Sequence, residues 1–353
     1  MAPFSSDNPS GRPVRLCDIA ERLNVSTMTV SLAMRAHPSI SKMRIEQVRQ
    51  MAETMGYRPN AMASALAHRK WTHAHRPVAA TLAWLNHWEN PGNLRNQEVF
   101  NLVWRGASAA ARALGYHLEE FIWGGEMTGE RLEKILLARN IQGIVVPPHP
   151  RPPDWAGWDF DKFSVVRIGH SVNNLPVDLI STDQVRSGIE GFTRIWERGY
   201  RRIGLVTSDW AERNTLFRAG YLLARSQADK GGPISMLNLR DSAAESFADD
   251  VKALGEWMAE AAPDAILTDV RTLRDMLVVC RYPVPDTVGV AMLGATEGVE
   301  AGIFQNSEEV GRMSVDTLIT LIQRGVRGIP AAHRVHLATP SWIDGPSLPV
   351  RTL

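Results

Sequence analysis

Only two cysteines occur in the 353 residues, Cys17 and Cys280. They stand far apart, with no CxxC and no histidine at ligand spacing, which excludes a disulfide framework and a zinc centre as organising features. No apolar run approaches the ~18 residues needed to cross a bilayer. Met1 is not followed by a basic patch and an apolar core, so no secretion signal is read and a cytoplasmic protein is expected. Catalytic signatures are missing too. There is no GxSxG, no GxxxxGK followed by Ser or Thr and no HExxH, and Gly289, Gly294, Gly298 and Gly302 are not spaced as GxGxxG. His73 and His75 form an HxH in a basic stretch, which reads as solvated surface rather than a metal pair. No catalytic residue, metal ligand or cofactor is assigned, and the chain is not expected to be an enzyme.

The net charge of +1 hides an asymmetry. From Gly11 to Pro77 there are eleven Lys/Arg against four acids, a balance of +7, whereas residues 78–353 carry 28 against 33, or −5. The amino-terminal part is therefore attracted to a polyanion and the remainder is not. Within it, Leu16, Ile19, Ala20 and Leu23 recur at helical spacing, the pattern breaks at Asn24-Val25, and Ser26 is placed to cap a second helix. Val30, Ala33 and Met34 should pack inward there, leaving Thr27, Met28, Ser31 and Leu32 outward. Two short helices across a tight turn make a helix-turn-helix, whose outward second helix enters the major groove of DNA. Ser41 should cap a third helix, with Ile45, Val48, Met51, Ala52 and Met55 as its stripe and Gly56 as its stop.

Asp18-Ile19-Ala20, Val25-Ser26, Thr29-Val30-Ser31, then Gly56-Tyr57, Pro59-Asn60, Ala63 and Leu66-Ala67 resemble the amino-terminal signature of the lactose-repressor (LacI/GalR) family of bacterial transcription factors. The resemblance implies a repressor that binds a pseudo-palindromic operator as a homodimer. It implies that Ser26, Thr27, Met28, Thr29, Ser31, Leu32 and Arg35 read each half-site. Tyr57 and the hinge residues Asn60, Ala63 and Leu66 join them, with Leu66 wedged into the minor groove. Several family members place an arginine or histidine where this chain has Leu32, and leucine offers only apolar contact, for example to a thymine methyl.

Residues 1–13 are polar and Pro/Gly/Ser-rich and read as a disordered arm. The head is expected over 14–59 and a hinge helix with a basic linker over 60–77. From Val78 strands alternate with amphipathic helices. Strands are expected at 78–85, 116–122, 143–147, 164–169, 179–182, 203–207, 234–239, 265–268, 288–292 and 335–338, which predicts doubly wound parallel sheets. About 270 residues exceed one such core. The fold expected is a small all-α helix-turn-helix head plus an α/β core of two doubly wound parallel-sheet lobes, similar to periplasmic binding proteins. That core would span 78–345: lobe one about 78–182, lobe two about 183–305, a C-terminal crossover over 306–345, and 346–353 as a tail.

An effector would sit in the cleft at the carboxyl ends of the strands. Candidates are Trp84, Asn86, Trp88, His170, Arg213, Phe217 and Asp269. Sugar-responsive family members carry an arginine three residues before the glycine of an RxxG motif, an Asn-Asp pair and a further Asp. Here Phe217, Thr268-Asp269 and Leu293-Gly294-Ala295 stand at those places. A cleft without those grips is ill suited to a polyhydroxylated ring, since every buried hydroxyl needs a partner. A flatter, less polar ligand is expected, or control by a protein partner with no small effector.

Overall fold

The computed structural model describes residues 14–34, 40–57, 80–208, 211–228, 235–240 and 247–351, the side chains of 211–214 aside. Three helices, α1 (Leu16–Arg22), α2 (Thr27–Met34) and α3 (Lys42–Thr54), form the head. Asn24 takes a left-handed φ of 51°, which short polar side chains tolerate, and turns the chain from α1 into α2. The Ser41 hydroxyl accepts the Arg44 N–H at 3.3 Å to start α3, and Gly56 at φ 69° ends it. Ile19, Ala20, Val30, Ala33, Val48 and Ala52 make the buried centre, ringed by Leu16, Met51 and other half-buried apolar residues. This core is separate from those of the body.

In lobe one, β1 (Ala80–Asn86), β2 (Tyr116–Ile122), β3 (Gly143–Val146), β4 (Ser164–Ile168), β5 (Asp178–Thr182) and β11 (Val335–Ala338) lie in the order β11-β5-β4-β3-β1-β2, every pair parallel. A short helix, α4 (Gly92–Asn96), follows β1. Helices α5 (Glu98–Ala113) and α11 (Ser307–Arg324) share one apolar cluster with the sheet, and α6 (Gly129–Ala138) contributes to a second.

Lobe two repeats the plan with β6 (Ile203–Ser208), β7 (Met236–Leu239), β8 (Ala265–Thr268), β9 (Gly289–Met292), β10 (Ala301–Phe304) and β12 (Ser341–Ile343), ordered β12-β10-β9-β8-β6-β7. Only β12 is antiparallel to its neighbour. Its helices are α7 (Gln184–Glu197), α8 (Ala211–Ala228), α9 (Phe247–Ala261) and α10 (Leu273–Val279). The chain passes between lobes after Thr182, Phe304 and Ala338, so α11 and β11 belong to lobe one and β12 to lobe two.

Residues 346–351, of the stretch 346–353 read from sequence as a tail, pack into lobe two. Ser347 Oγ donates to the Val290 carbonyl at 2.7 Å and accepts the Ala301 N–H at 2.9 Å, and Leu348 joins the core.

Helix pairs lock each lobe by backbone contact. A Cβ on Gly311 of α11 would lie 2.0 Å from the Val103 carbonyl oxygen of α5, and one on Gly106 of α5 would strike Glu308 of α11. The same reciprocal contact joins Gly188 of α7 to Phe217 and Gly220 of α8 to Val185. Gly220→Ala should destabilise lobe two by ~1–3 kcal/mol through overpacking. Gly92→Ala, with nothing within 4 Å of its Cβ position, should be near neutral. Urea unfolding of both variants checks this; equal midpoints would remove the contact as a constraint.

Candidate nucleic-acid interface and cleft

The turn into α2 is fixed by Ser26, whose hydroxyl accepts the Thr29 N–H at 3.0 Å and lies 2.8 Å from Thr29 Oγ1. That bond satisfies one of the helix's open donors and engages the Thr29 hydroxyl. Val30 and Ala33 are buried, which leaves Thr27 and Met28 exposed, Met28 by 68%. Ser31 and Leu32 are half-buried, and Leu32 stands outside the head's apolar core. Tyr57 packs part-buried on that core. The outward face is thus Thr27, Met28 and Ser31, with Leu32 at its border. Arg35, Asn60, Ala63 and Leu66 lie outside the described residues.

At the cleft ends of the strands, the sequence-derived candidates separate. Trp84 is 1% exposed and sits in the core of lobe one, edge-on to Trp104 at 5.3 Å. Phe217 is likewise 1% exposed, in the core of lobe two. Both were expected to face the cleft. Alternation along β1 instead sends Leu82 and Trp84 to the face shared with α5, and Phe217 lies on the side of α8 that meets Gly188.

Asn86 is fully buried and braces its surroundings. Its Nδ2 donates to the Pro91 carbonyl and to Glu120 Oε1, both at 3.0 Å, and its Oδ1 accepts the Trp88 N–H at 3.0 Å. Trp88 is also packed, its Nε1 donating to the Pro148 carbonyl at 2.8 Å. Asp269, half-buried at the end of β8, accepts the Ser208 N–H at 2.8 Å and the Ser208 hydroxyl at 2.7 Å, tying β8 to β6. His170 is half-buried and lines a narrow cavity of about 50 Å³ with Phe100, Ser171, Thr182 and Gln305. The side chain of Arg213 lies outside the described residues.

Two histidines that sequence reasoning passed over organise the lobe-one end of this region. His149 Nδ1 is 2.7 Å from the Pro147 carbonyl and its Nε2 accepts the His87 N–H at 3.0 Å, so the ring is neutral with the proton on Nδ1. Burial pushes its pKa down to about 4, opposed by the Pro147 bond and helped by His87. His87 stacks on Trp123 at 4.2 Å, its Nδ1 2.8 Å from the Trp123 carbonyl. The His149 N–H donates to Ser171 Oγ at 3.1 Å. These bonds bind together the ends of β1 to β4. The available signal was parity: residue 87 falls opposite 84, 86 and 88 on a strand. From lobe two, Arg271 donates to the Gly294 carbonyl at 2.8 Å, and a Cβ on Gly294 would lie 3.4 Å from Val99 of lobe one. Among the described residues no group of three or more His, Cys, Asp or Glu could hold a metal ion.

Ser26→Ala should cost the head ~1 kcal/mol, measured by thermal unfolding. For His149 the folded pKa near 4 lies below the ordinary 6.5. As pH falls below 6.5 the unfolded chain takes up the proton first and stability drops, by roughly 1.4 kcal/mol per pH unit until about 4. His149→Gln should flatten that slope; an unchanged slope would exclude His149 as its source.

Residues 15–60 match the profile of bacterial regulatory proteins of the lacI family. The transcriptional regulator GntR of Escherichia coli K12 is 27% identical over 213 residues, 60% of this chain and 60% of its own length, and GntR of E. coli O6:H1 aligns equally well. The match therefore spans less than two thirds of those relatives. Among solved structures, a CelR–cellobiose complex superposes with a TM-score of 0.57 at 18% identity, covering 95% of this chain and 100% of that one. A lac repressor dimer bound to operator and the anti-inducer ONPF gives 0.56 at 19%, covering 96% and 100%. A LacI-family regulator from Enterococcus faecium with bound ribose gives 0.56 at 13%, covering 77% and 100%. At these identities the structures establish the shared fold, a helical head on two α/β lobes. No described helix is long and apolar enough to cross a membrane. Residues 15–60 thus carry the helix-turn-helix head that the lacI-family profile describes, and the body behind it has the two-lobed α/β fold of the solved structures.

Proposed function

We propose that this protein is a repressor that binds a pseudo-palindromic operator as a homodimer, with residues 14–59 as the reading head, 60–77 as hinge and linker, and the body over 78–345. The observation that carries the reading is the outward face of α2: Thr27, Met28 and Ser31 project from a helix whose other side is fixed in a core of its own. That is the arrangement in which a second helix enters the major groove. Val278 and Val279, 64% and 60% exposed at the end of α10, supply apolar surface of the kind a second copy covers. A cytoplasmic site of action follows from a DNA target, and the reading requires no catalytic step.

The inter-lobe cleft is proposed as an effector site poorly suited to common free sugars. Phe217 is withdrawn into the core, both Asp269 oxygens already accept bonds from Ser208, and Gly294 carries no side chain. A flatter ligand meeting His87, His170 and Arg271 fits the remaining groups.

Selection of bound sequences from random DNA by the purified protein should yield a near-palindrome. Leu66→Ala should weaken that site more than random DNA. Leu32→Ala should relax one symmetric pair of positions by ~1 kcal/mol. An asymmetric or sequence-blind selection would sink the homodimeric reader. In a thermal-shift screen glucose, ribose and cellobiose should leave the unfolding temperature unchanged; a saturable rise with any of them would overturn the cleft assignment.

A further inference from the structure

A larger cavity, of about 270 Å³, lies in lobe one at the end of the sheet away from the cleft, where β4, β5 and β11 begin. The last turns of α11 and the segment from Val326 to Ala332 enclose it. Parallel pairing sets His336 of β11 opposite Ile180 of β5, and Asp178 stands two residues before Ile180. Side chains two apart on a strand share a face, and Ile180 packs on the side of the sheet where α11 lies. Asp178 and His336 are therefore brought together beneath α11, and both line the cavity.

Asp178 is only 5% exposed. Its Oδ1 accepts the Arg334 N–H at 2.8 Å, and its side chain makes no other hydrogen bond or ion pair among the described residues. One neutral donor is little for a carboxylate withdrawn from water, which can accept several bonds and is stabilised by a cation. His336 Nε2 is buried with no hydrogen-bond partner among the described residues, a loss that a polar ligand atom would restore. Two further polar residues of the lining, Arg324 and Arg334, are exposed, so they stand where the cavity meets solvent while Asp178 lies at its inner end. Neither guanidinium has a salt bridge or hydrogen bond among the described residues. Asp316, the other acid of the lining, is engaged by Arg312. Val165, Leu321, Val326 and Pro330 supply apolar walls between the two ends.

We infer that this cavity is a second ligand site, independent of the cleft, for a small zwitterion of amino-acid size. An N–H-rich cation, ammonium or guanidinium, enters first and donates to the free Asp178 oxygen and to His336 Nε2. Its methylene chain lies along the apolar walls, and a carboxylate at its other end meets Arg324 and Arg334. Charge-assisted bonds of this kind are shorter and stronger than neutral ones, and the inner one supplies the counter-ion that Asp178 lacks. A volume just under the roughly 300–1,000 Å³ of drug-sized ligand sites suits so small a molecule. The ligand would bridge α11, which enters lobe one after the second crossing, and β11, which leads out to the third.

Isothermal titration of the full chain with L-arginine, and separately with L-lysine, at constant ionic strength tests this. Saturable binding at one site by at least one of them is expected, and the tighter of the two identifies the cationic head. Agmatine, which has the guanidinium without the carboxylate, and pentanoate, which has the carboxylate without the cation, should each bind about tenfold more weakly or worse. Asp178→Asn keeps an acceptor for the Arg334 N–H and should weaken the affinity by about tenfold. Arg324→Gln, at an exposed position, tests the outer end without disturbing the core and should weaken it as well. Arg112→Gln, on the exposed side of α5, should leave it unchanged. No saturable heat with either amino acid, agmatine or pentanoate binding as tightly as they do, unchanged affinity in Asp178→Asn or Arg324→Gln, or equal loss in Arg112→Gln would each overturn the site.

Discussion

Backbone lying directly on backbone, once in each lobe, is the constraint on which the body depends. Gly106 and Gly311 bring α5 against α11, and Gly188 and Gly220 bring α7 against α8. Close approach of two helices is possible only where no Cβ intervenes. Helices α7 and α11 are the elements that immediately follow the first two crossings between lobes, so these contacts fix where each crossing enters its lobe. The sheets, the cleft and the ends of the strands take their places from there.

The crossings are also bonded to one another. Thr182 Oγ1 donates to the Gln305 carbonyl at 2.6 Å, the Asp183 N–H donates to the Ala338 carbonyl at 3.0 Å, and Asn306 Nδ2 donates to the Thr339 carbonyl. All three passages are thereby tied side by side. Gly294 against Val99 and the narrow cavity beside His170 lie in the same region. In such a joint the relative placement of the lobes is a property of the main chain, and a ligand acts on it by differential contact with the two sides.

Much of this was legible in the residues because period and burial agree there. Strands β2, β8 and β11 fall on their expected bounds, 116–122, 265–268 and 335–338, and the caps at Ser26, Ser41 and Gly56 lie where their chemistry placed them. Strand β10 was missed because Ala-Gly-Ile-Phe follows a glutamate- and glycine-bearing turn and holds Gly302, whose Cβ would strike Met292. Strand β12 is three residues long, too short for any period to register. The cleft was the least legible part. Which side of β1 Trp84 takes depends on the register of one strand against α5, and a single step of parity exchanges Trp84 for His87. Nothing local distinguishes a tryptophan that faces a ligand from one that fills a core.

The interleaving of the chain has a consequence for biosynthesis. The head closes its own core with Val48 and Ala52, so it can form as soon as residues near 57 leave the ribosome. Neither lobe has that freedom. Lobe one lacks an outer strand and half of its helix pair until residues 307–338 are made, and lobe two lacks Ser347 and Leu348 beneath β9 and β10. Domains usually fold in the order of their synthesis, but here the two halves of the body must mature together, after translation has passed both. During synthesis the chain therefore carries a finished head on an unfinished body until the residues of β11, β12 and the segment after them have been made.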